Sequence, residues 1–285
     1  MPLGTENGRR QFELFIHMVK KLLYIGIALI LCGCEVIKEE DRYIPVSAAN
    51  GGRSHVLIEY TGFNCVNCPT AAQTALDLQQ MYGEQLIVVA MHPPTNHFTQ
   101  TKNAKYDYTC PEADSCYLFM GGTASTPFPT GNIDIRRTID GYFLPHEEWA
   151  ARLTQAMRDT TEVFLSIEAE TDSLTRRVAV ETQTFSANAL SCRLAFWLVE
   201  DSVPGVQKMP DGTANMNYTH RHMFRGASDN SPWGKTMDIG PSLATQRTEI
   251  TVPNKCELSR CAVVALLLDG TDYHVLQAKQ IELSE

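Results

Sequence analysis

Two cysteines separated by two residues, Cys65 and Cys68, stand in the stretch YTGFNCVNCPT at residues 60–70. A pair at this spacing can serve as a redox dithiol, supply half of a metal site, or form a structural disulfide. The redox chemistry uses one thiolate to attack a disulfide and the second thiol to resolve the mixed disulfide that forms. The elements on either side of the pair therefore decide which chemistry is open to it.

The flanking sequence predicts a strand before the pair and a helix after it. The run HVLIEY at 55–60 is apolar, as in a buried strand, and PTAAQTALDLQQMYG has apolar residues at mostly helical spacing up to Gly83. This order places Cys65 just before or at the N-terminus of a helix, where unpaired backbone N–H groups and the helix dipole favour a thiolate. Pro69 fits the first helical turn, because its nitrogen has no hydrogen to pair.

The segment VLIEYTGFNCVNC resembles the active-site strand and turn of the thioredoxins. That family has a buried carboxylate six residues before its first active-site cysteine, and Glu59 occupies this position. The resemblance implies that Glu59 takes the proton of the resolving thiol of Cys68, and burial is expected to raise the pKa of its carboxyl group. It also implies a cis proline facing the dithiol, for which Pro129 is the first candidate and Pro127 the second.

Two departures from the thioredoxin pattern bear on the redox potential. Asn64 precedes the first cysteine where thioredoxins usually have tryptophan, and the dipeptide between the cysteines is Val66-Asn67 where Gly-Pro is usual. A structural disulfide therefore stays open as the alternative role of the pair.

The N-terminal segment has the features of an export signal. Two lysines precede an apolar stretch at 22–31, which is too short to span a bilayer. The LCGC sequence at its end resembles a lipobox and predicts that residues 1–33 are removed as a signal peptide, with Met18 as the expected start. Cys34 then becomes the acylated first residue and holds the chain to a membrane. A plain secretory signal is the alternative.

The residues after Cys34 predict a tether and a destination. Residues 34–54 are mostly polar and contain SAANGGRS, which is typical of a flexible linker. The sequence Lys38-Glu39-Glu40-Asp41 resembles the export signal that sends some Gram-negative lipoproteins to the outer face of the outer membrane. We therefore expect a lipid-anchored protein of the outer membrane that faces the cell exterior, with a solvated tether as the alternative role of these residues.

The composition bounds the number of domains and the class of partner. A chain of 285 residues with 44% hydrophobic content is long enough for two globular domains. Its formal net charge of −9, with no run rich in lysine and arginine, argues against a nucleic-acid surface. No glycine-rich phosphate loop is present in the sequence, so no cofactor is expected.

The pattern along the chain predicts an α/β domain followed by an all-β domain. Residues 55–160 alternate strand and helix signals, as in a thioredoxin-like domain. Residues 161–285 predict seven short strands and an immunoglobulin-like antiparallel β-sandwich, with a long polar loop or hairpin arm at 201–217. The strand-like runs are VFLSIEA, RRVAVETQT, CRLAFWLVE, NYTHRHMFRG, QRTEITV, CAVVALLLD and YHVLQAKQIEL.

The remaining cysteines are candidates for further disulfides. Of nine cysteines, seven follow Cys34, and an exported chain lies where disulfides persist. The spacings suggest three pairs with Cys192 left over: Cys65–Cys68, Cys110–Cys116 and Cys256–Cys261. A bond from Cys192 to either member of the last pair is equally compatible with the sequence. A structural zinc site usually needs two close pairs of ligands, and the chain has one CxxC, so no metal site is expected.

Four histidines are candidates for accessory residues. His92 and His97 flank a proline-rich turn near the dithiol, where a solvated loop is favoured over a role in tuning Cys65. His220 and His222 are two residues apart in a predicted strand and are expected to share one face, which is weak support for a metal.

Taken together, the lipobox, EYTGFNCVNCP and YTHRHMFRG resemble the outer-membrane-protein-28-related lipoproteins of Gram-negative anaerobes. This resemblance implies an envelope lipoprotein with a thioredoxin-like site. Two functions stay open: a thiol–disulfide oxidoreductase acting on protein thiols or disulfides, and a non-catalytic surface lipoprotein that binds a protein or glycan.

Overall fold

The computed structural model describes residues 52–284, which belong to one compact unit. The predictions for residues 1–33 with their start at Met18, for Cys34 and for most of the tether lie outside the described residues. Between residues 52 and 284, no helix is both long enough and apolar enough to cross a membrane.

The described residues form a mixed α/β fold with mostly strands and few helices. The helices are α1 (Cys68–Tyr82), α2 (Pro111–Phe119) and α3 (His146–Ala156). The strands are β1 (His55–Tyr60), β2 (Leu86–Met91), β3 (Thr130–Ile133), β4 (Val163–Asp172), β5 (Arg177–Ser186), β6 (Leu190–Glu200), β7 (Val203–Lys208), β8 (Ala214–His220), β9 (Met223–Ala227), β10 (Lys235–Ile239), β11 (Ala244–Thr251), β12 (Cys261–Asp269) and β13 (Val275–Glu282).

The strands assemble into three sheets. The largest has the order β13-β12-β6-β9-β2-β1-β3, and β10 also pairs with β6. Within it β1 is parallel to β2 and antiparallel to β3. A second sheet has the order β11-β5-β4, and β7 and β8 form a separate two-stranded hairpin.

The largest sheet runs across the boundary predicted between 55–160 and 161–285. Ala90 of β2 lies opposite Met223 of β9, and the Ala90 backbone N–H donates to the carbonyl oxygen of His222 at 2.7 Å. The segment that precedes β9 is therefore held beside the end of β2.

The first strands are buried on both faces, as their continuous apolar runs predict. Every residue of β1 and β2 is buried. Successive residues of β1 face opposite sides of the sheet, so Ile58 packs in one apolar cluster while Leu57 packs with Ala71 and Ala75 of α1. Glu59 follows the same alternation as Leu57, which places it on the side that α1 covers.

One predicted strand is shorter than its sequence pattern suggests. The alternating run NIDIRR at 132–137 predicts a strand, but β3 ends at Ile133. The next two residues, Asp134 and Ile135, have φ values of 57° and 55°, in the left-handed region that interrupts a strand. The carboxylate of Asp134 then turns inward and accepts hydrogen bonds from the start of β1.

The later half of the chain contains more strands than predicted. The described residues 161–284 contain ten strands, where the sequence pattern suggests seven. The polar segment at 201–217 forms most of the β7–β8 hairpin. The run NYTHRHMFRG divides between β8 and β9 because His222 has a φ of 52°. The prediction that His220 and His222 share one strand face is therefore wrong.

Candidate functional site

The predicted pair Cys65 and Cys68 forms a disulfide between the end of β1 and the start of α1. The two Cα atoms are 5.4 Å apart. The Cys65 backbone N–H donates to the carbonyl oxygen of Gly62 at 3.0 Å, which closes a tight turn. Helix α1 begins at Cys68, with Pro69 in its first turn as predicted. The sulfur chemistry is therefore positioned by a strand, a turn and a helix N-terminus.

The turn passes close to a second segment of backbone. The Asn64 N–H donates to the carbonyl oxygen of Phe98 at 3.1 Å. A Cβ placed on Gly62 would lie 2.6 Å from that same oxygen, so only glycine permits this approach.

Glu59 is buried beneath the disulfide, in agreement with the prediction from the sequence. The residue is 3% exposed, and its Oε1 atom has no hydrogen-bond partner among the described residues. Burial raises the pKa of the carboxyl group from 4.5 to about 8, because the charged form is poorly solvated there. Glu59 is therefore protonated at neutral pH and able to donate a proton.

A small cavity of about 20 Å³ connects Glu59 with the second cysteine. Its wall includes polar side chains from β1, the residue after β2, the hairpin and the start of α1: Glu59, Cys68, His92, Gln207, Tyr218 and His220. The cavity brings together residues that lie more than 150 positions apart in the chain.

The two histidines of this cavity are held neutral by burial. His92 is 2% exposed, and neither ring nitrogen has a hydrogen-bond partner among the described residues. Burial lowers its pKa well below 6.5, with smaller contributions from His220 and Arg225. Burial also lowers the pKa of His220 to about 4. The sequence-based preference for a solvated loop at His92 is wrong, because the hairpin covers this end of β2.

The β7–β8 hairpin hydrogen-bonds directly to the turn that holds the cysteines. The Gln207 side-chain Nε2 donates to the carbonyl oxygen of Cys65 at 2.8 Å, and the Lys208 N–H donates to that of Phe63 at 2.8 Å. Sequence reasoning missed Gln207, because no local pattern connects position 207 with a turn 142 residues earlier.

Pro129 directly precedes β3. The Phe128–Pro129 peptide bond is cis, as the thioredoxin resemblance implies for this position. Thr130, the next residue, pairs with Tyr60 at the end of β1. Phe128 packs in the same apolar cluster as both cysteines of the disulfide. Pro127 is not preceded by a cis bond among residues 52–284.

The predicted Cys110–Cys116 disulfide is absent, and both residues are free and buried. Cys110 directly precedes α2 and Cys116 lies in its second turn. Six residues of helix rise by about 9 Å, which exceeds the separation of roughly 4.4–6.8 Å that a disulfide permits between Cα atoms. Burial raises the pKa of both thiols, that of Cys110 to about 12, so neither is a reactive thiolate.

The predicted Cys256–Cys261 disulfide is not formed in the structure, but the two thiols are in contact. Both residues are buried and free, their thiols interact, and the Cys261 thiol donates to the carbonyl oxygen of Glu257 at 3.2 Å. This contact lowers the pKa of Cys256 and raises that of Cys261. The alternative partner, Cys192, pairs with Asp269 at the opposite end of β12 from Cys261. Eight residues of strand separate them by roughly 26 Å, which excludes a Cys192–Cys261 bond.

We expect Cys256 and Cys261 to form a disulfide with each other under oxidising conditions. Incubation of the purified protein with oxidised glutathione should remove two hydrogen atoms from this pair and release two molecules of reduced glutathione. Peptide mass mapping without reduction should show the 256–261 linkage. The Cys192→Ser variant should behave like the wild type, and a linkage that contains Cys192 would contradict the expectation.

One group of side chains could share a metal ion within residues 52–284: Asp269, Asp272 and His274. Asp272 is exposed and the other two are partly buried, and the hydrogen bonds of their own turn account for the arrangement. Asp269 accepts from the backbone of the following residues, and His274 bonds to Asp272 at 2.6 Å. Nothing in this geometry requires an ion.

Two solved structures resemble the fold of this chain. HBP35 of Porphyromonas gingivalis aligns with a TM-score of 0.63 at 13% identity, over 81% of this chain and 76% of its own. A protein of Agrobacterium tumefaciens aligns with a TM-score of 0.51 at 12% identity, over 82% of this chain and 96% of its own. At these identities the similarity shows the fold alone. A domain of the outer membrane lipoprotein Omp28 from Porphyromonas gingivalis covers 44% of this chain and 89% of its own, at 14% identity and a TM-score of 0.31.

Sequence comparison gives the family. No curated protein matches the chain. The family model for outer membrane protein Omp28 matches residues 122–285, a range that begins after the dithiol and covers more than half of the chain. The family resemblance inferred from the sequence motifs is thus confirmed: this chain belongs to the Omp28 family of outer membrane proteins.

Proposed function

We propose that this chain is a thiol–disulfide oxidoreductase of the outer membrane, with a thioredoxin-like site and a lipid anchor at Cys34. The single observation that carries the proposal is that Glu59 and Cys68 line one buried cavity, with the carboxyl group protonated at neutral pH. A structural disulfide needs no buried acid beside it, whereas a resolving cysteine needs a proton when it leaves as a thiolate. The sequence order of strand, CxxC and helix supports the same chemistry.

The proposed reaction starts from the disulfide. A thiolate of a substrate protein attacks the sulfur of Cys65, the bond to Cys68 breaks, and its electron pair goes to the Cys68 sulfur. The carboxyl group of Glu59 donates a proton to that sulfur. A second substrate thiolate then attacks the mixed disulfide and displaces Cys65. The substrate loses two electrons and becomes a disulfide, while the Cys65–Cys68 pair is reduced.

The proposal includes a location for the protein at the cell surface. The lipobox and the acidic residues that follow Cys34 support an anchored protein that faces the cell exterior. Its partners would then be the membrane and proteins that carry exposed thiols or disulfides. The charge of the chain supports no nucleic-acid partner.

The reduction potential of the Cys65–Cys68 pair tests the redox function. We expect a potential above about −300 mV and a depressed thiol pKa at Cys65, because structural disulfides lie below that potential and free thiols titrate near 8.5. Equilibration of the purified protein with a thiol buffer, followed by alkylation, measures both. The Cys68→Ser variant should trap a mixed disulfide at Cys65. The Cys116→Ser variant, which removes a buried free thiol, should match the wild type.

A non-catalytic surface lipoprotein is the second candidate, and one observation favours it. Both cysteines of the disulfide are only 1% exposed, so the bond is closed to large partners in this structure. The same titration separates the two functions: a potential below about −300 mV with a Cys65 thiol pKa near 8.5 would identify a structural disulfide and overturn the redox proposal.

A further inference from the structure

The β7–β8 hairpin packs against the turn that carries the disulfide. Its Gln207 and Lys208 bond to carbonyl oxygens on both sides of the cysteine turn. A small apolar cluster beneath it joins Phe63 of that turn with Val206 of β7 and Tyr108. Each cysteine is 1% exposed, and Gln207, Tyr218 and His220 of the hairpin line the same cavity as Cys68. An attacking thiol must reach a buried sulfur atom, and the hairpin is one of the elements packed around the turn that carries it.

The hairpin is paired separately from the two larger sheets. It is a two-stranded sheet with no backbone pairing to the two larger sheets described between residues 52 and 284. Most of β8 is exposed to solvent. Isolated two-stranded hairpins are marginally stable in water, and segments with few buried contacts open at low free-energy cost. Opening of the hairpin would therefore break no strand pairing of the main sheet.

We propose that the β7–β8 hairpin is a lid over Cys65 and Cys68, and that thiol–disulfide exchange takes place only when the lid is open. This inference rests on the proposed function, because it names how access to the same site is regulated. When the lid opens, Gln207 leaves the carbonyl oxygen of Cys65 and the sulfur of Cys65 becomes reachable. When it closes, Tyr218 and His220 of β8 return to the wall of the cavity that holds Glu59.

Substitution of Gly205 in β7 is expected to weaken the closed position of the lid. A Cβ on Gly205 would overlap the hydroxyl oxygen of Tyr108 and come within 3.3 Å of His220. The Gly205→Ala substitution should therefore push β7 away from Tyr108. The matched control is Gly240→Ala, because a Cβ at that position meets no atom within 4 Å.

The test measures how fast dithiothreitol reduces the disulfide of the purified protein. Reaction samples are alkylated, and the peptide that contains Cys65 and Cys68 is quantified by mass. We expect Gly205→Ala to be reduced at least about tenfold faster than the wild type, because a weakened closed state raises the open fraction. The Gly240→Ala control should match the wild type. The wild-type rate should also lie well below that of the protein unfolded in urea.

A second, milder substitution keeps the test decisive if Gly205→Ala fails to fold. Tyr108→Phe keeps the ring but removes the oxygen that accepts a hydrogen bond from the Val206 N–H at 3.1 Å. Tyr108→Phe should also be reduced faster than the wild type, but by a smaller factor than Gly205→Ala. Its circular dichroism spectrum should be unchanged. The lid proposal would be wrong if the folded variants were reduced at the wild-type rate. It would also be wrong if the wild type were reduced as fast as the unfolded chain.

The lid and the proposed function fail in different ways. If the Gly205→Ala variant is reduced quickly but its thiols do not exchange with any protein disulfide, the lid stands and the redox function is wrong. If the pair exchanges readily and at equal rates in the wild type and both lid variants, the redox function stands and the lid is wrong.

Discussion

Replacing Glu59 with glutamine is expected to remove a large loss of stability that the wild-type protein suffers as the pH rises. The folded carboxyl group has a pKa of about 8, against an ordinary value of 4.5. Between these values the folded state keeps a proton that the unfolded state has lost. The free energy of unfolding contributed by this group therefore falls with rising pH, by on the order of 5 kcal/mol across the window.

Urea unfolding of the wild type and Glu59→Gln at pH 5, 7 and 9 measures the effect. The difference between the two proteins should shift in favour of the variant by several kcal/mol between pH 5 and pH 9. His92 and His220 contribute an opposite trend, because their lowered pKa values reduce stability as the pH falls. That trend is common to both proteins and cancels in the difference.

The matched control for this experiment is Glu170→Gln. Glu170 is an exposed residue of β4, so its substitution should leave the pH profile of unfolding unchanged. A Glu59→Gln variant whose stability runs parallel to the wild type over this pH range would show that Glu59 is ionised in the folded protein, and it would remove the proton donor from the proposed reaction.

Replacing Asp134 with asparagine is expected to lower the free energy of unfolding by about 3 kcal/mol, because it leaves a buried arginine without its main counter-charge. The Asp134 carboxylate is fully buried, 3.0 Å from the Arg53 guanidinium and 2.7 Å from His55 Nδ1. It also accepts from the Val56 N–H at 2.9 Å, which ties the start of β1 to the end of β3. Asparagine tolerates the positive φ of this position as aspartate does, so the change isolates the charge.

The control for Asp134 is the second acidic partner of the same arginine. Asp159 lies 3.5 Å from Arg53, and its side chain is 44% exposed. Exposed ion pairs contribute at most about 1 kcal/mol, so Asp159→Asn should change stability by less than that. Urea unfolding at neutral pH compares the two variants. Equal losses from both would show that Asp134 is not the main counter-charge of Arg53.

The elements around the dithiol could be predicted because their signals are local. The continuous apolar run of β1, the helical spacing of α1 and the position of Pro69 depend on neighbouring residues in the chain. The burial of Glu59 follows from the same run, since a strand that is apolar on both faces has no exposed side. The family resemblance also rested on short motifs.

Other features could not be predicted, because they depend on contacts between distant segments. The end of β3 is set by the backbone of Asp134 and Ile135, where the alternating pattern suggests that the strand continues. The pairing predicted for Cys110 and Cys116 relied on sequence spacing, and the helix that begins between them moves the thiols apart. The burial of His92 arises from a hairpin more than 100 residues later.

The sequence by itself determined the candidate residues of the site: two cysteines at the end of a buried strand and an acid on that strand. These are properties of local residue order, which sets secondary structure and side-chain alternation. Only the tertiary structure decided the state of the site. It showed that the disulfide is buried, that His92 and His220 are neutral beside Glu59, and that a distant hairpin bonds to the cysteine turn. The physical reason is that burial and its effect on charge are set by whatever packs over a group, and here that segment lies 142 residues away from Cys65.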